Sequence, residues 1–68
     1  MPKPVRMNLV GLDGNAFSLM GAFIRNAERQ GWTEEEIKSV IDQCRIGDYD
    51  NLLRVLMANT TETEDDDE

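Results

Sequence analysis

The chain has 68 residues and a mass of 7.7 kDa, room for one small core, which excludes a multi-domain enzyme. Its composition, 40% hydrophobic and 31% charged, suits a folded chain better than a disordered or membrane-spanning one. The net charge of −7 is uneven: residues 1–61 hold all 7 Lys and Arg and nearly balance, whereas Glu62, Glu64, Asp65, Asp66, Asp67 and Glu68 crowd the last positions.

The chain contains no His and one Cys, so an internal disulfide is impossible and the usual nitrogen and sulfur ligands of zinc are missing. No metal or cofactor is expected. Without staple or metal, a core of this size supplies ~3 to 5 kcal/mol of net stability. Met1 to Arg6 contains no apolar run of the signal-peptide kind, and no stretch approaches the ~20 apolar residues of a bilayer span. A cytoplasmic protein without a membrane segment is expected.

In chain order, residues 5–10 alternate, with Val5, Met7 and Leu9 on one side and Arg6, Asn8 and Val10 on the other, the period of a half-buried strand. Gly11 to Asn15 breaks the strand, and Asp13 or Asn15 offers a side-chain oxygen to cap a helix. From Ala16 to Gln30 the set Ala16, Phe17, Leu19, Met20, Phe23, Ile24 and Ala27 repeats at helical spacing, opposite Arg25, Glu28 and Arg29. Gly31 falls where a left-handed C′ residue belongs, and Trp32 can close a Schellman ending on Ala27.

Thr33-Glu34-Glu35-Glu36 has the form of a capping box, with Trp32 and Ile37 placed as its hydrophobic staple. The second helix carries Ile37, Val40, Ile41 and Cys44 on one stripe and stops at Gly47. That position makes Cys44 a buried structural thiol, not a nucleophile, which would want a basic neighbour and solvent. Asp48 caps a third helix, with Tyr49, Leu52, Leu53 and Leu56 facing inward. Val55 and Met57 widen its apolar arc to about 200°, leaving Asp50, Asn51 and Arg54 for water. Beyond Ala58 no apolar residue remains to be buried. The expected fold is mostly α, an N-terminal β-strand followed by a three-helix bundle (β-α-α-α) over residues 1–58, with an acidic disordered tail at 59–68.

A lone strand exposes unpaired amides and carbonyls along its edges, and neither a hairpin turn nor a second strand is evident. Three arrangements resolve this: pairing across a two-fold axis through Val5, Met7 and Leu9, addition to a partner's sheet, or an N-terminus that is not a strand; the wide apolar arcs of helices 1 and 3 ask for the same remedy as the first. A homodimer is expected.

For chemistry the chain offers carboxylates alone. Asp13, Asp48 and Asp50 are the clustered ones, and a helix cap and a solvent-facing residue account for the latter two, so no catalytic residue is assigned. The strand, glycine-containing loop and helix start across Gly11 to Asn15 imitate an anion-binding element, which gives the alternative of a nucleotide binder, although no Lys follows and Asp13 would repel an anion. Helix 2, Gly47 and helix 3 have the spacing of a helix-turn-helix. Its leading residues, Asp48, Tyr49, Asp50 and Asn51, would bring carboxylates to phosphates, so no nucleic-acid partner is expected.

Across Leu9-Val10-Gly11-Leu12-Asp13-Gly14-Asn15-Ala16-Phe17, Gly31-Trp32-Thr33-Glu34-Glu35-Glu36-Ile37 and Gly47-Asp48-Tyr49-Asp50-Asn51-Leu52-Leu53, the sequence resembles a family of very small proteins from bacteriophages, prophages and plasmids. The likeness covers residues 5 to about 58. It implies a mobile-element setting and a non-enzymatic protein that binds and modulates a host or defence protein. Asp13, Asn15, Asp48, Tyr49, Asp50, Val55 and Met57 are the candidates for facing that partner.

Overall fold

The computed structural model describes residues 4–9 and 14–61. Five elements follow one another: β1 (Val5–Arg6), α1 (Ala16–Arg29), α2 (Glu34–Cys44), α3 (Tyr49–Ala58) and β2 (Thr60–Thr61). Three helices after a short N-terminal strand are the mostly helical architecture that the periodicities predict. No helix among the described residues is long and apolar enough to cross a membrane.

The junctions follow from local chemistry. Trp32 donates its backbone N–H to the Ala27 carbonyl at 3.0 Å and Gly31 donates to Glu28 at 3.2 Å, the paired bonds of a Schellman ending. Gly31 sits at φ +94°, which glycine adopts without strain. One residue later the capping box closes reciprocally: the Glu36 amide donates to Thr33 Oγ1 at 3.1 Å, and the Thr33 amide donates to Glu36 Oε1 at 2.8 Å. The Trp32 ring meets Phe23 edge to face, with centroids 5.5 Å apart. Trp32 therefore anchors the α1–α2 turn to the core as well as terminating it.

The core gathers Leu19, Phe23 and Ala27 from α1, Ile37, Val40 and Cys44 from α2, and Leu52 and Leu56 from α3. Val5 and Met7 complete it from the N-terminus, and Val5, Phe23 and Leu56 are wholly buried.

β1 is not a lone strand. It pairs in parallel with β2, in the register Val5 with Thr60 and Arg6 with Thr61. The Val5 amide donates to the Asn59 carbonyl at 2.9 Å and the Met7 amide to the Thr61 carbonyl at 3.0 Å. On the backbone between them, the side chain of Gln30 takes the place of a third strand. Its Oε1 accepts from the Arg6 amide at 2.8 Å and its Nε2 donates to the Arg6 carbonyl at 3.0 Å. The backbone groups of this short strand are thus satisfied on both sides.

This corrects the expected strand-mediated dimer. Val5 and Met7 are core residues and Leu9 is half-buried against the core, so they do not offer a free edge to a second copy. It also moves the end of the folded segment from Ala58 to Thr61. Asn59 Nδ2 donates to the Val55 carbonyl and Thr60 Oγ1 to the Leu56 carbonyl, each at 2.8 Å, closing α3 before the chain enters β2. Residues 62–68 lie outside the described residues.

Candidate binding cleft

Two helix starts and one turn frame an open cleft of about 330 Å³. Asn15 is the N-cap of α1, its side-chain oxygen accepting from the Phe17 amide at 2.8 Å. Phe17 thereby falls in the first turn, where no preceding turn covers it, and it is 78% exposed. Asp48 caps α3 by accepting from the Asn51 amide at 3.0 Å, which sets Tyr49 as the first helical residue. The Tyr49 hydroxyl then donates to the Gly14 carbonyl and ties the start of α3 to the start of α1.

The α2–α3 turn is pinned separately. Asn51 Nδ2 donates to the Gln43 carbonyl at 2.9 Å and to the Ile46 carbonyl, occupying acceptors at the end of α2. Gly47 makes the turn possible at φ +89°. The turn leaves Ile46 68% exposed. The cleft floor is apolar, formed by the buried Cys44 and Leu52, and its walls are Phe17, Met20 and Tyr49.

Charge is confined to the rim, where Arg45 and Asp48 supply opposite signs. Arg45 forms no ion pair among the described residues; the pairs there are Lys38–Asp42 at 3.6 Å and Asp50–Arg54 at 3.3 Å, both between exposed side chains one helical turn apart. Burial pushes the Cys44 thiol up from its ordinary value, so at neutral pH it is an uncharged part of the floor. Among the described residues, no group of three or more His, Cys, Asp or Glu is placed to hold a metal ion.

Of the residues singled out in the sequence, Asp48 and Tyr49 meet at this cleft and Asn15 caps the helix that bears its Phe17 wall. Asp50 lies instead on the outer face of α3, paired with Arg54. Val55 is half-buried against the core. Met57, 65% exposed, stands near the far end of α3. Asp13 and most of the Gly11 to Asn15 loop lie outside the described residues.

Phe17 corrects the reading of α1, which counts it with the inward set. At 100° per residue, it points about 145° away from the mean direction of Leu19, Ala22, Phe23 and Ala27, the buried residues of that helix. That angle is available from the sequence once the arc is centred on its most buried members. Ile46 and Arg45 carry no such signal, because their exposure follows from the turn geometry.

Comparison with protein-family models, with curated proteins and with solved structures finds no match for this chain.

Proposed function

We propose that this chain is a non-catalytic protein-binding module, and that an apolar side chain of the partner protein enters the cleft between the start of α1 and the α2–α3 turn. The observation that carries this reading is the exposure of Phe17 and Tyr49 on the walls of one cleft, with Ile46 exposed on the adjoining α2–α3 turn, and a backbone fixed there by Asn15, Asp48 and Asn51. Large apolar side chains exposed together are what a binding surface needs, and Tyr is among the residues that most often dominate its energetics. Because the cleft is held by hydrogen bonds at three places, little ordering is required on association. Arg45 and Asp48 on the rim provide charges of both signs to orient the incoming chain.

A non-enzymatic reading is supported by the state of the polar groups. The Asp48 carboxylate accepts from the Asn51 amide, the Tyr49 hydroxyl is committed to Gly14, and the only thiol in the chain is buried. The Asn51 side-chain Nδ2, which would face a DNA groove in a helix-turn-helix, donates instead to the Gln43 and Ile46 carbonyls. In the phage or plasmid setting that the sequence resemblance implies, the partner is a host or defence protein of the cytoplasm.

The experiment is site-specific photo-cross-linking in cells, with the probe at Phe17, at Ile46, or at Arg29 on a different surface. One protein captured from Phe17 and Ile46 but not from Arg29, and lost when Tyr49→Ala is added, is the expected result. Equal labelling from all three positions would remove the cleft as the site.

A further inference from the structure

We propose that a second copy of this chain docks on the exposed flank of α3, beside the face that carries Asp50, antiparallel, about a two-fold axis passing close to Leu53. The two surfaces share Tyr49, which is a wall of the cleft and one end of the docking stripe, whereas Leu53 and Met57 lie outside the cleft.

Tyr49, Leu53 and Met57 recur every fourth residue and lie within about 80° of one another on that helix. They form a continuous stripe: Tyr49 is 46% exposed, Leu53 half-buried and Met57 65% exposed. Leu53 is at the middle of the Tyr49–Ala58 span. A two-fold contact requires that whenever residue i meets residue j, j also meets i. Turning a copy of α3 end for end about Leu53 satisfies this, since it sets Leu53 against Leu53 and Tyr49 beside Met57 of the second copy, with the reciprocal pair at the other end.

The charges select the same orientation. Asp50 and Arg54 flank the stripe on the Met57 side, the acid nearer the N-terminus and the base nearer the C-terminus, and both side chains are more than two-thirds exposed. An antiparallel two-fold brings these flanks together on one side of the helix pair, with Asp50 beside Arg54 of the second copy and the reverse. The internal pair becomes a network of four alternating charges. A parallel two-fold would carry the flanks to opposite sides and lose this match. The described part of the chain nearly balances in charge, so two such surfaces do not repel each other strongly.

One helix face covers less than the ~1,200 Å² of a standard interface, so a dissociation constant on the order of 10 to 100 µM is expected. Sedimentation equilibrium of the purified full chain from about 10 µM to about 1 mM reads it, with the weight-average mass rising from 7.7 kDa towards twice that value. Met57→Glu, at an exposed position, raises the dissociation constant at least about tenfold by placing charge in the apolar contact. Asp50→Arg and Arg54→Glu each weaken association about fivefold, because either leaves flanks of one sign, and the double variant D50R/R54E restores it to within about threefold. Circular dichroism verifies that each variant remains helical. A monomer at every concentration would overturn the proposal and leave the stripe to a different protein; a dimer indifferent to Met57→Glu would overturn the face. Failure of the double variant to restore association would overturn the antiparallel register.

Discussion

Ending the chain at Ala58 in place of Thr61 removes only three residues, two of them threonine, yet it takes away the whole of β2. The bonds lost include four that hold β2 and the end of α3: Val5 N–H to the Asn59 carbonyl, Met7 N–H to the Thr61 carbonyl, Asn59 Nδ2 to the Val55 carbonyl and Thr60 Oγ1 to the Leu56 carbonyl. At about 0.5 to 1.5 kcal/mol net for each, they amount to ~2 to 6 kcal/mol. Water replaces some of them where the chain is exposed, so a loss of ~2 to 4 kcal/mol is expected. Val5 itself is 0% exposed, and its amide would be left at the margin of the core without an acceptor. Set against the ~3 to 5 kcal/mol that a core of this size supplies, the truncation removes most of the stability. The test compares urea unfolding of chains ending at Ala58 and at Thr61, followed by Trp32 fluorescence, whose ring reports the core through Phe23. With a slope of about 1 kcal/mol per M for a small domain, the shorter chain should unfold at least about 2 M earlier or show no transition. Midpoints within about 0.5 M of each other would refute the structural role given to β2.

Other expectations concern single side chains. Thr33→Ala opens the capping box of α2 and should lower stability by about 1 kcal/mol; an unchanged denaturation midpoint would contradict the cap. Gln30→Ala uncovers the backbone of Arg6, and hydrogen exchange of the Arg6 amide should quicken at least about tenfold while global stability falls by about 1 kcal/mol. Cys44 should resist alkylation at pH 8 in the folded protein and react promptly in urea, since burial raises its pKa and keeps it protonated. The same burial predicts a pH dependence. Because the folded value lies above the ordinary thiol value of 9.0, the contribution of Cys44 is intact below pH 9 and is lost as the pH rises through the folded value. The Cys44→Ala protein should show a shallower decline over that range when the two are compared by thermal unfolding.

The helix boundaries are legible in the sequence because each is written in local chemistry. Gly31, the Thr33-to-Glu36 box and the Asp48 cap each act on partners within a few residues in the chain, and the structure bears them out. β2 has no such signature. Thr60 and Thr61 contribute backbone groups to a strand 55 positions away, and neither hydrophobic pattern nor turn residue announces that pairing. Gln30 is equally silent, since the amide that completes the sheet reaches across 24 residues to Arg6. The candidate cleft is half legible: Asp48 and Tyr49 stand out by motif, whereas Phe17 needs the direction of the α1 core to be known and Ile46 needs the path of a turn.

The helices are joined by brief connections, Gln30 to Thr33 and Arg45 to Asp48, so their mutual contacts form between near neighbours in the chain. The pairing of Val5 with Thr60 closes a loop of nearly the whole described chain, at an entropic cost on the order of 3 to 4 kcal/mol. The barrier to folding is therefore expected to be crossed by the helices before the strands meet, with β2 contributing little at the transition state. Interactions that form after the barrier govern how quickly the native state is left, not how quickly it is reached. Weakening the pairing at Thr60 should steepen the escape from the folded state while leaving the approach to it almost unchanged, a difference read directly from the two limbs of a chevron plot.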